Sequence, residues 1–190
     1  MRAVQHDEDT MTPATRTDTA RQIFRPLVRL LAVAAMSIAL AGCFTSKRPM
    51  FDLASAATPL GEGGRFVSYN RTSKGFERDE KIEVRLKGKS YDFIDEKGKA
   101  TPATLHPIGR DLFVAQAPNE GGSYDYVIVR VSASEVIGYA PSCVKQSAKK
   151  MRALGVEIHD QECRLDKVAH PKALFSSIRL GEPTSKLVRE

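Results

Sequence analysis

Tryptophan is absent from the 190 residues, and aromatic residues make up only 7% of them, so an aromatic-lined glycan groove is not expected. No run of five like charges occurs and basic residues are interspersed with acids, which removes the electrostatic footprint expected of a nucleic-acid binder. The most apolar stretch, residues 30–42, is shorter than the roughly 20 residues a helix needs to span a bilayer. Catalytic signatures are missing as well: there is no GxSxG elbow, no HExxH and no glycine-rich phosphate loop. Cysteine is scarce, with three in the chain.

What is present is an ordinary globular composition, 42% hydrophobic and 27% charged, with a formal net charge of +6. Residues 43–190 carry 24 Lys and Arg against 19 Asp and Glu, leaving +5 on that part. A mildly basic domain suits anionic surfaces such as phospholipid headgroups or lipopolysaccharide.

The N-terminal segment divides sharply. Acidic residues stop at Asp18, Arg21, Arg25 and Arg29 form a basic approach, and an uncharged apolar run follows from Leu30 to Gly42. This has the proportions of a secretory leader, with a positive n-region and an h-region of 7–15 residues. The run has no polar face, which argues against an amphipathic core helix. It closes on Leu40-Ala41-Gly42-Cys43, which resembles the lipobox of bacterial lipoproteins: an aliphatic residue, two small residues and a cysteine. The resemblance covers residues 21–43 and implies that Cys43 receives a diacylglycerol thioether, that residues 1–42 are removed, and that the new amino terminus is acylated. Two or more acyl chains give stable membrane attachment, at about 0.8 kcal/mol per buried CH₂. Phe44 stands where an aspartate would signal inner-membrane retention, so the expected location is the outer membrane, facing the periplasm.

Beyond the leader, residues 43–64 are rich in Pro, Gly and small side chains and read as a lipidated N-terminus and tether. From residue 65 to 140 the dominant period is two. In "EKIEVRLK", Ile82, Val84 and Leu86 alternate with Lys81, Glu83, Arg85 and Lys87, which predicts a strand with one wet face. "SYDYVIVRVS" is apolar on both faces and predicts a doubly covered strand. With "GRFVSYN", the segment after the "KGK" turn, "ATLHPIG", "DLFVAQA" and "EVIGYA", seven strands are expected, forming an antiparallel meander curled into a small barrel or sandwich. After Pro141 the period lengthens. Val144, Ala148, Met151 and Leu154 predict one helix closed by Gly155, and "HPKALF" predicts a second with Pro171 in its first turn and Gly181 as its stop. The expected fold is therefore mainly β, with residues 141–190 a helical region packed on the β domain.

Candidate chemistry is sparse. Once Cys43 is assigned to lipidation, Cys143 and Cys163 remain as a pair in an oxidising compartment, and a disulfide between them is expected. A zinc set of Cys143, His159, Cys163 and His170 has no recognised metal-ligand spacing, and no metal or cofactor is assigned. His106 reads as a satisfied or solvated histidine, and Asp92, Asp95 and Glu96 as a solvated hairpin turn, so no catalytic residue is named. Lys145, Lys149, Lys150 and Arg152 lie on the polar side of the first helix and form the candidate contact with anionic headgroups or an acidic partner. The expectation is a non-enzymatic envelope lipoprotein whose domain binds a partner protein or envelope component and no nucleic acid. The alternative is a periplasmic enzyme inhibitor, similar in outline to membrane-bound lysozyme inhibitors.

Overall fold

The computed structural model of the protein describes residues 44–159 and 162–190. The Leu40-Ala41-Gly42-Cys43 motif lies outside the described residues. The seven expected strands all form. They are β2 (Gly63–Thr72), β3 (Gly75–Lys87), β4 (Ser90–Ile94), β5 (Ala100–Pro107), β6 (Leu112–Pro118), β7 (Tyr124–Val131) and β8 (Glu135–Tyr139). Each pairs antiparallel with the next in sequence.

Closure comes from an eighth strand, which the sequence pattern does not reveal. Strand β11 (Ser185–Arg189) lies between β2 and β8 and is antiparallel to both. The ring β2-β3-β4-β5-β6-β7-β8-β11 is thereby complete, with no free edge of the kind that promotes aggregation. Gly88 (φ 65°) occupies the two-residue loop between β3 and β4, where a left-handed conformation is needed. Gly63 is required for another reason: a Cβ there would overlap the Val84 carbonyl of the neighbouring strand.

Two apolar cores share the barrel wall. The inner one packs Phe66, Ile82, Val84, Tyr91, Leu105 and Phe113. The outer one sits against the other face of β6, β7 and β8 and includes Phe44, Tyr126, Ile128, Met151, Leu174 and Phe175. Strand β7 serves both. Val127, Val129 and Val131 face the inner core, while Tyr126 and Ile128 face the outer one, as its two apolar faces predict.

Residues 44–62 are not a loose tether. Strand β1 (Phe44–Ser46) pairs antiparallel with the start of β7 and parallel with β10 (Glu162–Arg164), which forms a hairpin with β9 (Glu157–His159). Phe44 is 0% exposed, and Met50 and Phe51 pack on the outer core. A 3-10 turn at Leu53–Ser55 follows, and Ala57 bridges to Leu105 of β5. The segment is a strap whose first part covers apolar surface outside the barrel and whose second part adds Leu60 to the inner core.

Residues 141–190 are not a purely helical appendage either. They contribute β9, β10 and the barrel strand β11, and their helices are short: α1 (Ala148–Ala153) and α2 (Pro171–Ser176). The helix expected from Val144 is broken into a 3-10 turn at Cys143–Lys145, then α1, capped by the Ser147 side chain. The disulfide pins Cys143, and Gln146 exchanges side-chain hydrogen bonds with the Arg179 backbone, so the chain cannot run on as one helix. Met151 is buried as predicted, but Val144 points out at 58% exposed.

Candidate functional site

The strap is held by buried polar groups on the outer faces of β5, β6 and β7. Gln116, 6% exposed, accepts from the backbone N–H groups of Met50 (2.9 Å) and Phe51 (3.0 Å) and donates to the Phe51 carbonyl (3.2 Å). One side chain thus satisfies three backbone groups that would otherwise compete for water. Beside it, the Tyr126 hydroxyl lies 2.6 Å from Ser46 Oγ and accepts from Met50 N–H (3.2 Å). Ser46 donates onward to the Arg48 carbonyl. Burial pushes the Tyr126 phenol up to about 12, so it stays a neutral donor throughout the physiological range.

His106 is the third fastening. It is 1% exposed and stacks on Phe51, with ring centroids 4.6 Å apart and an interplanar angle of 15°. Ser55 Oγ donates to the Asp52 carbonyl (2.8 Å), so it presents a lone pair to His106 Nδ1 (3.0 Å). Nε2 lies 2.8 Å from the Thr104 hydroxyl, which also reaches the Gln116 carbonyl at 3.5 Å. Burial holds the imidazole below its ordinary titration range. These contacts seat Phe51 and the 3-10 turn against the outer face of β5.

Around this fastening runs a shallow open groove of about 610 Å³, lined by Phe51, His106, Pro107, His170, Pro171 and Lys172. A second open depression, about 600 Å³, lies at the barrel mouth beside Pro59, Arg110 and Asp111, and Asp111 pairs with Arg130 at 3.1 Å. At the same end, Arg189 lays its guanidinium 4.8 Å from the centre of the Phe66 ring and donates to the Gly63 carbonyl (2.8 Å). It thereby caps the inner core with a charge-assisted hydrogen bond.

Cys143 and Cys163 are disulfide-bonded, with Cα atoms 5.6 Å apart, so neither thiolate is available to a metal. His159 and His170 are exposed, on β9 and immediately before α2. Among the described residues, no group of three His, Cys, Asp or Glu side chains could hold a metal ion. The hairpin acids serve backbone geometry: Asp95 accepts from the Lys97 and Lys99 amides, and Glu96 from the Lys81 amide. Asp79 and Glu80 join them there, and burial, reinforced by Asp79, raises the Glu80 carboxyl above its ordinary value.

The four basic residues singled out in the sequence are all exposed, on the 3-10 turn and on α1. Lys150 donates to the Ser177 carbonyl (3.1 Å). None of the four belongs to an ion pair among the described residues, and residues 141–156 contain no Asp or Glu. Sequence reasoning missed the Gln116 clamp. The signal for it was a lone amide on an otherwise apolar face of "LFVAQAP". No family model matches the chain, and comparison with curated proteins and with solved structures likewise finds no match.

Proposed function

We propose that this chain is a lipoprotein of the bacterial cell envelope. Cys43 carries the lipid, and the domain acts on the periplasmic face of the outer membrane in a non-enzymatic binding or structural role. The observation that carries the reading is the junction between leader and fold. The apolar leader ends at Gly42, and Phe44, one residue past Cys43, is already a buried strand residue. Cleavage before Cys43 therefore removes none of the described elements and leaves the strap attached at every fastening. A disulfide closed between Cys143 and Cys163 is consistent with an oxidising compartment.

The test is mass spectrometry of the N-terminal peptide from the membrane fraction, with Cys43→Ser in parallel. A diacylated peptide beginning at Cys43 is the expected result, with Cys43→Ser left uncleaved and unlipidated. A membrane-bound, cleaved Cys43→Ser protein overturns the reading. An inhibitor role is the second reading, supported by a small closed antiparallel barrel with a disulfide. Its net charge of +5 over residues 43–190 makes it a poor partner for a basic lysozyme, so an acidic target is favoured. Pull-down with the mature protein separates the two: capture of a periplasmic hydrolase that loses activity supports inhibition.

A further inference from the structure

We infer that residues 144–152 form a surface that rests on an anionic lipid bilayer. The inference uses the proposed anchor at Cys43 to fix orientation, but the charge and exposed apolar residue of the surface are independent of that anchor. Two observations lead to it, and neither comes from the sequence pattern alone.

The first is the absence of slack. A lipoprotein domain on a long spacer can tumble above the membrane, but here β1 begins at Phe44 and the strap behind it is bound to the barrel wall. Any bilayer that holds Cys43 lies directly against the part of the domain where β1 enters the sheet.

The second is what lies beside that entry point. Phe44 pairs with Cys163, and Cys163 is bonded to Cys143, the residue before Val144. Strand spacing, the disulfide span and one peptide step put the Cα of Val144 within about 15 Å of that of Phe44, the residue after the proposed anchor. A domain of this size is roughly 38 Å across. The exposed Val144 and the basic set Lys145, Lys149, Lys150 and Arg152 therefore share the anchored side. The described acids beside β1 and its partners are Glu162 on β10, Glu157 on β9, paired with Lys167 at 2.7 Å, and Asp166, which accepts from the Lys47 amide at 2.7 Å. An apolar side chain surrounded by uncompensated cations, beside a lipid attachment point, is complementary to anionic headgroups over acyl chains.

The absence of tryptophan supplies a clean reporter. The full chain, expressed in cells and purified in detergent, would carry Val144→Trp, with Lys97→Trp as the control. Lys97 is exposed in the β4–β5 turn, on the opposite side of the ring from β8. Each protein is reconstituted into vesicles of phosphatidylcholine alone or mixed with phosphatidylglycerol, and emission and quenching by brominated acyl chains are read. The expected result is a blue shift and quenching at position 144 on anionic vesicles, weaker on neutral ones, with position 97 water-like on both. Changing the four basic residues to Gln should reduce the ratio of lipid-contacting to lipid-free orientations by about 5-fold per charge. A variant that retains Lys150, which is bound to the Ser177 carbonyl, provides the same comparison if the fourfold change disturbs folding.

A position 144 as water-like as position 97 on anionic vesicles overturns the inference, as does quenching that ignores both headgroup charge and the Gln changes. Mass analysis of the N-terminal peptide in the same samples keeps the two readings apart. A lipidated Cys43 with a water-like position 144 refutes the surface alone. An unlipidated Cys43 with a charge-dependent blue shift supports the surface and refutes the anchor.

Discussion

Replacing Gln116 by Leu tests whether residues 44–62 are part of the folded body. The change keeps a side chain of comparable bulk and removes every polar contact. Met50 N–H keeps its bond to the Tyr126 hydroxyl, but the Phe51 N–H and carbonyl lose the side chain that serves both. Each orphaned backbone group costs on the order of 1–3 kcal/mol when buried, and Phe51 is only half-buried, so the lower end applies and the pair should cost about 2–3 kcal/mol. With a urea slope of ~2 kcal/mol/M, the unfolding midpoint should fall by roughly 1 M. Leu53→Ala is the matched control, because Leu53 lies on the same strap at 57% exposed and should shift stability by less than about 0.5 kcal/mol. Equilibrium urea unfolding gives the midpoints, and amide exchange at Met50 and Phe51 reports the strap directly. Equal midpoints for the two variants, with an unprotected Phe51 amide in the parent protein, would refute the account of the strap as a fixed element.

Two further outcomes follow from the same structure. Burial holds His106 below its ordinary titration range, so the unfolded chain binds a proton that the folded one does not as pH falls below about 6.5. Stability is therefore full above that value and declines toward the depressed folded pKa, with a slope of at most ~1.4 kcal/mol per pH unit. His106→Gln should flatten that part of the profile in thermal unfolding measured between neutral and mildly acidic pH, and an unchanged slope would exclude His106 as its source. Cys143→Ala combined with Cys163→Ala opens a loop of sequence separation 20 and should cost about 3 kcal/mol by chain entropy. Chemical denaturation with and without reductant checks this: reductant should destabilise the parent protein and leave the double variant unchanged.

The barrel strands were legible because their environments are periodic. Ile82, Val84 and Leu86 alternate because one face of β3 meets the inner core and the other meets water. Strand β7 lacks alternation because both its faces are covered, and the sequence reports that as directly. Strand β11 escaped because five residues, SKLVR, carry too little pattern: Leu187 alone joins the inner core, while Lys186 stacks outward on Tyr69 at 4.8 Å. The strap was misread because Pro, Gly and small residues suit both a spacer and a closely packed irregular segment. What separates the two is the set of partners it meets, Gln116, Tyr126 and His106, which are 51 to 80 residues away in sequence. The expected first helix failed for a similar reason, since its apolar spacing is helical but the link from Cys143 to Cys163 fixes its first turn elsewhere.

Local order alone thus determined seven strands, their meander and the pairing of two cysteines. These depend on the period of side chains along a strand and on counting, and both are properties of neighbouring residues. Closure of the barrel by β11, the second core outside its wall and the strap fastened across it were decided only in three dimensions. Each depends on contacts between segments distant in the chain, where burial and hydrogen-bond satisfaction outweigh local propensity.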